Sequence, residues 1–363
     1  MNSEQHPPLP RGASPSAEPL VQPHSGTLIE RILDGEPALG TLLAVAVLGV
    51  ADHLSDQART VTELAGLCEA DEASLRRILR AASILGLLRS TDTPDHYALT
   101  TEGARLRSDA ADSMLPAVLM AADPFWREAI RTLPQTVRDG HPTPRTPWPH
   151  LAETPDAQGR FQRSMTARTT PIAAALAKRD YSTVRTVVDV GGGHGTVLAA
   201  LLTEHSHLSG VLLDLPGVAE EGGTHLDALG LRERVEVVVG DFFEAVPSGG
   251  QVYVLVNVLH NWGDSDAMRI LCNVRTAIEA SGNPAQVWCV DLLLSPVRAH
   301  AAASALADLA DIRMMSLYTQ GQERTFYDYM ALMAAAGLTV ADREHLPGDM
   351  HLMIAEVVPA ERI

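Results

Sequence analysis

The sequence predicts an α/β protein, with a helical N-terminal part and a mostly parallel sheet of seven strands in the C-terminal part. Three observations lead to this prediction. Residues 27–110 show mainly the helical spacing of apolar side chains. From residue 184 onward, short apolar stretches alternate with helical ones, which is typical of a parallel sheet covered on both faces. A turn with four glycines in residues 191–195 follows the first of these stretches.

Composition and charge exclude several classes of protein. The chain of 363 residues is 46% hydrophobic, which is enough for two domains with sizeable cores. Its net charge of −17 argues against a nucleic-acid partner, because free-standing nucleic-acid-binding proteins need a basic face. The most apolar segment, 38–54, has about 13 apolar residues before Asp52, too few to cross a membrane. We expect a buried helix there and no membrane partner.

The first 25 residues are rich in Pro, Ser and Gly, and they lack the apolar core of a signal peptide. We therefore expect residues 1–25 to form a flexible tail. The cysteines show neither paired nor metal-like spacing, which favours a reducing, cytoplasmic setting. These cysteines are Cys68, Cys272 and Cys289.

Residues 26–110 are predicted to form the first domain. Helix starts are expected at Thr62, with Ala65 after it, and at Asp71, with Ser74 after it. Residues 89–106 then predict a β-hairpin with a Pro-Asp turn. Three helices followed by a hairpin are the winged-helix arrangement.

A winged helix has two interpretations here. DNA binding is supported by basic residues on the third helix, namely Arg76, Arg77 and Arg80. Packing or dimerisation is supported by the acidic chain and the large second domain. Segment 27–110 is also richer in Ala, Leu and Val than a three-helix unit can bury alone. We therefore predict a two-fold dimer with an apolar interface in the obligate class, above about 2,000 Å².

A helical connector is predicted for 111–180, and the sheet domain for 181–363. The last two strands are close in sequence, which predicts an antiparallel pair at the sheet edge. The predicted strands are RTVVDV (185–190), LSGVLLDLP (208–216), VEVVVGD (235–241), QVYVLVNVL (251–259), AQVWCVDLLL (285–294), LTVADREHL (338–346) and MHLMIAEVV (350–358).

The glycine turn between the first strand and its helix contains Gly191, Gly192, Gly193 and Gly195. Such turns let a ligand approach the backbone closely. The dinucleotide pattern G-x-G-x-x-G needs glycine where this chain has Thr196, so the fit to NAD is poor. A turn kept only for tight packing is the structural alternative.

Two acidic residues follow the next strands. Asp214 ends the second strand, 19 residues beyond Gly195, where a carboxylate can accept hydrogen bonds from ribose hydroxyls. Asp241 ends the third strand and can accept from an adenine amino group while Phe242 packs on the base. These positions share the carboxyl edge of the sheet, where open α/β folds bind ligands. Without a Walker lysine, the site favours an adenosine whose other end is not a phosphate.

Five ordered motifs carry a resemblance to a known family: VVDVGGGHG, LLDLPGV, VVGDFFEAVP, VLHNWGD and GQERT. They resemble S-adenosylmethionine-dependent O-methyltransferases of the plant caffeic-acid type and their bacterial antibiotic-pathway relatives. The likeness covers about residues 27–358. It implies a Rossmann-like methyltransferase domain and an N-terminal winged-helix dimerisation domain that pairs subunits and does not read DNA.

The resemblance also implies the cofactor, S-adenosyl-L-methionine, with S-adenosyl-L-homocysteine as its product. The implied cofactor-binding residues are Asp189, Gly191, Gly192, Gly193, Gly195, Asp214, Leu215, Gly240, Asp241, Phe242, Phe243 and Asn257. The substrate pocket is implied to include Phe125, Trp126, Phe161, Met165, Asn261, Asp311, Met314 and Met315, with Tyr318 and Asp308 nearby. For the helical Met and aromatic residues, plain core packing is the alternative.

His260 follows the fourth strand and is the candidate general base. A phenol with a pKa of about 10 is mostly protonated at neutral pH, and an imidazole with a pKa of about 6.5 can take its proton. The resemblance implies this role, with Asp291 and Glu323 flanking the ring. Asn261 replaces the common Asp, and Asp291 replaces Glu. We expect the shorter Asp291 side chain to reach the imidazole through water.

The sequence therefore predicts a dimeric O-methyltransferase that methylates a phenolic hydroxyl of an aromatic or polycyclic natural product. No His/Asp/Glu cluster suggests a Mg²⁺ site, so we expect a metal-independent enzyme. Two alternatives stay open. One is the same fold with altered chemistry, such as cofactor-assisted hydroxylation or decarboxylation. The other is a winged-helix regulator with a ligand-sensing domain. The sequence leaves the acceptor unidentified.

Overall fold

A computed structural model of the chain describes residues 27–55, 57–295 and 302–358. The predicted N-terminal tail, residues 1–25, lies outside the described residues. The chain divides into two compact units, the first ending at Val118 and the second beginning at Leu119.

The first unit combines helices with a small antiparallel sheet. Its helices are α1 (Leu28–Val47), α2 (Val50–His53), α3 (Val61–Leu67), α4 (Glu72–Ile84) and α5 (Thr101–Ala104). Its strands are β1 (Arg59–Thr60), β2 (Leu88–Ser90) and β3 (His96–Leu99). Strand β3 lies between the other two and pairs antiparallel with both. The predicted hairpin is confirmed, but it ends at Leu99 and not at residue 106, because Thr101–Ala104 form α5. Strand β1 extends the hairpin by one short strand.

Capping interactions set where the helices of the first unit begin. Thr60 Oγ1 accepts a 3.1 Å hydrogen bond from the Glu63 backbone N–H, and the Thr60 backbone N–H donates a 2.7 Å hydrogen bond to Glu63 Oε2. The predicted start at Thr62 is therefore wrong, because Ala65 has no side chain that could return such a bond. The predicted start at Asp71 is confirmed, since Asp71 Oδ1 accepts from the Ser74 N–H at 2.8 Å.

The sequence predicts one buried helix for the apolar segment 38–54, and this prediction is wrong. Gly49 adopts a left-handed conformation with φ of 64°, which ends α1 and begins α2. Within α1 only Thr41, Val45 and Ala46 are buried. The N-terminal half is exposed, including its apolar side chains Leu28, Ile29, Ile32 and Leu33. In the described part of the chain, no helix is both long and apolar enough to span a membrane.

Five helices cover the predicted connector: α6 (Leu115–Ala122), α7 (Pro124–Arg131), α8 (Leu133–Asp139), α9 (Trp148–Glu153) and α10 (Pro155–Leu176). The sheet and its helices follow as β4 (Thr186–Val190), α11 (Thr196–Glu204), β5 (Ser209–Asp214), α12 (Val218–Ala228), β6 (Val235–Val239), β7 (Val252–Val256), α13 (Asp264–Ser281), β8 (Gln286–Leu294), α14 (Ala302–Leu317), β9 (Arg324–Thr325), α15 (Phe326–Ala335), β10 (Leu338–Leu346) and β11 (Met350–Val357).

The predicted mostly parallel sheet is confirmed. Its strand order is β10-β11-β8-β7-β4-β5-β6, and the two-residue strand β9 pairs with the end of β8. Strands β4 to β8 run parallel, and β10 and β11 form the predicted antiparallel edge pair. The chain leaves β4 toward β5 and β6, and then crosses to β7 on the other side. This reversal opens a crevice at the carboxyl ends of the central strands, where such folds bind ligands.

Candidate active site

A cavity of about 370 Å³ lies at the carboxyl ends of the central strands, within the second unit. Loops after β4, β5, β6 and β7 form one side of it, and side chains of α7, α9, α10 and α14 form the other. Many predicted site residues line this cavity: Trp126, Phe161, Met165, Asp189, Gly191, Gly192, Gly193, Asp214, Leu215, Asp241, Phe242, Phe243, Asn257, His260, Asn261, Met314, Tyr318 and Glu323.

The turn after β4 needs its glycines for conformation and for space. Gly191 and Gly193 have φ of 69° and 58°, a region that side-chain-bearing residues rarely adopt. A Cβ on Gly192 would lie 2.5 Å from the carboxyl carbon of Asp189, and a Cβ on Gly191 would lie 3.4 Å from Phe242. The turn therefore brings bare backbone to the cavity wall.

The strand-end acids are held by backbone donors. Asp214 Oδ2 accepts from the Gly193 N–H and its Oδ1 from the Leu215 N–H, both at 2.8 Å. Burial raises the pKa of Asp214, although these two hydrogen bonds oppose the shift. Asp241 Oδ1 accepts from the Phe243 N–H at 2.8 Å. Both carboxylates keep acceptor capacity for a ligand, because each oxygen carries two lone pairs.

Asp189, at the buried end of β4, is 1% exposed. Burial and the charge of Asp214 raise the pKa of Asp189 to about 7. Its Oδ2 has no hydrogen-bond partner in the described structure. An unsatisfied buried oxygen beside the glycine turn is costly, so this atom suits a ligand that donates a hydrogen bond.

Aromatic rings cover the cavity beside Asp241, which lies two residues after β6. The rings of Phe242 and Phe243 lie 5.0 Å apart, and Phe243 meets Trp262 edge-on at 4.7 Å. Phe242 and Trp262 both line the cavity. Together with Asp214, Asp241 and the glycine turn, these rings fit an adenosine: acids for its hydroxyl and amino groups and flat apolar surface for its base.

His260 lies in a short 3₁₀ turn, Leu259–Asn261, directly after β7. Its Nδ1 is 3.0 Å from Glu323 Oε1, which fixes the ring orientation and places the Nδ1 proton on the Glu323 side. Its Nε2 has no hydrogen bond to another described residue, and the side chain lines the cavity. The imidazole therefore keeps Nε2 as a free acceptor.

The turn that carries His260 is braced from several sides. Arg324 donates to the Leu259 carbonyl at 3.1 Å and to the Trp262 carbonyl at 2.7 Å. The Glu323 backbone N–H donates to Asp311 Oδ1 at 2.9 Å. Asp311 thus holds the carboxylate-bearing segment and does not line the cavity, which differs from its predicted place in the substrate pocket.

Asp291 lies beside the imidazole without bonding to it. Its Oδ1 is 3.7 Å from His260 Nδ1, too far for a hydrogen bond. The water-mediated contact stays a prediction. Its Oδ2 accepts from the Tyr329 hydroxyl at 2.9 Å. Asp291 acts on His260 through its charge.

The electrostatic balance favours a basic imidazole. Burial lowers the pKa of His260, but the charge of Asp291 and the hydrogen bond and charge of Glu323 outweigh it, so that the pKa rises above its ordinary value. Arg168 opposes this rise. Burial raises the pKa of Asp291 to about 7, aided by Glu323 and opposed by His260, Tyr329 and Arg324.

Six predicted residues do not line the cavity. Phe125 lies behind Trp126, where its ring stacks on His150 at 4.6 Å. Gly195 is the N-cap of α11, and Gly240 packs on Leu213. The others are Asp291, Asp311 and Met315.

The sequence analysis missed several lining residues, among them Trp148, Gln162, Arg168, Trp262 and Arg313. Arg168 lies one helical turn after Met165 on α10, and Arg313 precedes Met314 on α14. Helical spacing from the predicted pocket residues could have found Arg168. No local signal marks Trp148, because its approach depends on the fold.

The fold and the cavity define an α/β enzyme that binds a nucleoside cofactor at the sheet's switch point and places a buried histidine–carboxylate pair beside it. Among the described residues, no group of three or more His, Cys, Asp or Glu is arranged to hold a metal ion.

Comparisons with known proteins identify the family. The O-methyltransferase domain family matches residues 133–339, and the O-methyltransferase dimerisation domain matches residues 31–108. The chain belongs to the family of S-adenosylmethionine-dependent O-methyltransferases. O-demethylpuromycin-O-methyltransferase of Streptomyces alboniger is 34% identical over 320 residues, covering 86% of this chain and 83% of that protein.

Two further relatives show the range of the family. The structure of an O-methyltransferase (NcsB1) from neocarzinostatin biosynthesis, in complex with S-adenosylmethionine and 2-hydroxy-5-methyl naphthoic acid, superimposes with a TM-score of 0.75 at 31% identity. The match covers 93% of this chain and 100% of that chain. Aclacinomycin 10-hydroxylase RdmB of Streptomyces purpurascens is 31% identical over 308 residues, 83% of this chain and 81% of that protein.

Proposed function

We propose that this enzyme transfers the methyl group of S-adenosylmethionine to a phenolic hydroxyl of an aromatic or polycyclic metabolite, with His260 as the general base. The observation that carries the proposal is the geometry of His260. Its Nδ1 is held by Glu323 at 3.0 Å, while its Nε2 is free at the wall of the cavity. A fixed imidazole with one free acceptor nitrogen suits proton abstraction from a bound hydroxyl.

When bound, S-adenosylmethionine supplies a methyl group on a positively charged sulfur. The chain's own residues bring the acceptor oxygen to that methyl and take its proton. The phenol proton passes to Nε2 of His260, and the resulting imidazolium is stabilised by Glu323 and by the charge of Asp291, 3.7 Å away. Tyr329 holds Asp291 in place through its hydroxyl.

The cofactor side of the cavity is assigned to the strand ends. Asp214 accepts from the ribose hydroxyls, and Asp241 accepts from the adenine amino group, with Phe242 and Phe243 against the base. The bare backbone of Gly191 to Gly193 faces the cofactor. Asp189, Leu215 and Asn257 line this side. Gly195 and Gly240 are also assigned to cofactor binding, as the sequence predicts.

The acceptor side is assigned to the helices. Trp126, Phe161, Met165 and Met314 line it, and the Trp126 and Phe161 rings lie 6.0 Å apart. Such flat apolar walls favour an aromatic acceptor. Asn261 lies on the same wall as His260, where it takes the place of the Asp common in plant relatives.

We also propose an oligomeric state and a cellular compartment for the enzyme. The dimerisation domain and the exposed apolar side chains of α1 support a homodimer formed through the first unit. The cysteines Cys68, Cys272 and Cys289 are free, which supports a reducing, cytoplasmic setting. The net charge of −17 supports an enzyme without a nucleic-acid partner, and we propose no membrane partner.

The test is incubation with isotopically labelled S-adenosylmethionine and a panel of phenolic polyketides and hydroxyarenes, read by mass spectrometry. We expect transfer of the labelled methyl group to oxygen and formation of S-adenosylhomocysteine. Binding of S-adenosylmethionine without methylation of any panel member would contradict the proposal.

A second candidate function is cofactor-assisted hydroxylation, because one relative of similar identity is named a 10-hydroxylase. The free base at His260 favours methylation, since hydroxylation needs no deprotonation of a phenol at this position. The same mass-spectrometric experiment separates the two, because hydroxylation adds oxygen and leaves the labelled methyl on the cofactor.

A further inference from the structure

The guanidinium groups of two arginines in the cavity wall have no hydrogen-bonding or ion-pair partner among the described residues. Arg168 on α10 and Arg313 on α14 both line the cavity. Neither guanidinium forms a hydrogen bond or an ion pair with any side chain in residues 27–55, 57–295 or 306–358. A half-buried guanidinium without a carboxylate is costly, because it loses hydration and gains no compensating bond.

The two charges act on one another. Burial lowers the pKa of Arg168, and the positive charge of Arg313 lowers it further, while Glu323 and Tyr318 oppose the shift. Like charges facing one cavity repel each other unless an anion lies between them. No lysine lines the cavity in the described structure, so these arginines are its strongly basic side chains.

The position of the pair favours the acceptor side over the cofactor side. Arg168 follows Met165 by one turn of α10, and Arg313 directly precedes Met314 on α14. Met165 and Met314 are apolar residues of the cavity wall, and both helices are separate from the strand-end loops that carry Asp214 and Asp241. The charge of Arg168 also lowers the pKa of His260.

We propose that Arg168 and Arg313 bind a carboxylate on the acceptor, so that the substrate is a hydroxylated aryl carboxylic acid. This inference rests on the proposed function, of which it specifies the substrate class. Each guanidinium can donate paired hydrogen bonds to a carboxylate, which makes such contacts both strong and directional. The apolar walls hold the ring, and the arginines fix its orientation so that the hydroxyl meets His260.

Binding of such a substrate should also raise the pKa of His260. A carboxylate that neutralises Arg168 removes the influence that lowers the pKa of His260. The imidazole becomes a stronger base when an acidic acceptor is bound. A neutral phenol is neither oriented by the arginines nor able to raise the pKa of His260, because it forms no ion pair with either guanidinium.

The experiment uses hydroxybenzoic and hydroxynaphthoic acids, each beside its own carboxamide. Affinity for the full-length enzyme saturated with S-adenosylhomocysteine is measured by calorimetry, and kcat/KM is measured with S-adenosylmethionine. We expect at least one acid to bind about 10- to 100-fold more tightly than its amide. In Arg168→Gln and Arg313→Gln this acid-to-amide ratio falls toward one, while affinity for S-adenosylhomocysteine stays within twofold. Arg163→Gln, an exposed arginine on the same helix, is the control and keeps the wild-type ratio.

The outcomes separate this inference from the proposed function. Preferential binding of an acid without its methylation supports the arginine site and contradicts the methyltransfer proposal. Methylation of neutral phenols, with every acid and amide bound within twofold of each other, overturns the arginine site and leaves methyltransfer standing. Loss of S-adenosylhomocysteine affinity in the arginine variants also overturns it, because the arginines would then hold the amino-acid end of the cofactor.

Discussion

At the scale of single residues, two carboxylates surround the imidazole of His260 and give it different support. Glu323 makes the hydrogen bond at 3.0 Å, and Asp291 contributes charge from 3.7 Å. Together they outweigh the burial of the ring and raise the pKa of His260. The ring is thus held in one orientation and kept basic.

Replacing His260 by alanine should remove the base and leave the cofactor site intact, because the strand-end acids and glycines are unchanged. We expect turnover at neutral pH to fall about 10²- to 10⁴-fold, with partial recovery as pH approaches the pKa of the phenol. Affinity for S-adenosylhomocysteine, measured by calorimetry, should stay near wild type. His345→Ala, an exposed histidine on β10, is the control. Undiminished turnover in the His260 variant would show that another group takes the proton.

The Glu323→Gln substitution should shift the pH dependence. Glu323 raises the pKa of His260, so that its neutral amide replacement lowers this pKa and leaves the imidazole deprotonated at lower pH. We expect the acidic limb of the kcat/KM profile to move to lower pH, with a reduced plateau because the ring is less firmly held. Asp311→Asn, which alters a hydrogen bond to the Glu323 backbone and leaves the Glu323 carboxylate in place, is the comparison. A limb that moves to higher pH contradicts the assignment.

Asp214→Ala should weaken cofactor binding. The variant removes the acceptor assigned to the ribose hydroxyls, and it also frees the N–H groups of Gly193 and Leu215. Loss of charge-assisted hydrogen bonds of about 1.5–3 kcal/mol corresponds to roughly 10- to 150-fold weaker S-adenosylhomocysteine binding by calorimetry. Asp227→Ala, an exposed acid on α12, should bind normally. Equal affinities for both variants would remove Asp214 from the cofactor site.

At the scale of elements, close packing between α12 and the glycine turn shapes the cofactor side. A Cβ on Gly222 of α12 would lie 2.5 Å from the Gly193 carbonyl oxygen and 2.7 Å from Leu212. Helix and turn therefore fit together only because Gly222 has no side chain. This contact links a residue outside the cavity to the backbone that faces the cofactor.

Gly222→Ala should push α12 away from the turn. We expect a loss of about 1–3 kcal/mol in the free energy of unfolding, since the methyl group meets backbone that cannot move aside easily. S-adenosylhomocysteine affinity should fall with it, because Gly193 shifts. Thr224→Ala, exposed on the same helix, should change neither quantity appreciably. Thermal melts with and without S-adenosylhomocysteine measure both; a wild-type melt with wild-type affinity refutes the tight contact.

At the scale of the whole molecule, the first unit exposes apolar side chains that a monomer would leave in water. Leu28, Ile29, Ile32 and Leu33 on α1 are each between 64% and 70% exposed. They lie on a helix whose start is fixed by a capping box between Thr27 and Glu30. An ordered helix with so much exposed apolar surface fits a subunit interface.

The double substitution Ile29→Asp with Ile32→Asp should shift the protein toward monomers, because it places charges in the proposed interface. Sedimentation velocity at micromolar concentration should show a dimer for the wild type and a slower species for the variant. Leu229→Asp, at an exposed apolar position in the second unit, should remain dimeric. A wild-type monomer, or a double variant that sediments as a dimer, contradicts the assignment of α1 to the interface.

The sequence by itself determined the order of the elements and the edge of the sheet that carries the site. Strand periodicity and the glycine turn are local properties, so all seven main strands and the acids at their ends were predictable. His260 was predictable for the same reason, because it directly follows a strand. Helix starts were less predictable from the sequence. Thr60 and Thr62 are both possible N-caps of α3, and the paired hydrogen bonds between Thr60 and Glu63 decide for Thr60.

Only the tertiary structure decided which side chains meet. Arg168 and Arg313 are 145 positions apart on different helices, and helical spacing relates each of them only to its own predicted pocket residue, not to the other arginine. Phe125 and Asp311 belong to the expected segments, yet one stacks on His150 and the other holds the Glu323 backbone. The physical reason is that helical periodicity fixes which face of a helix is apolar, whereas packing against other helices fixes which side chains of that face reach the cavity.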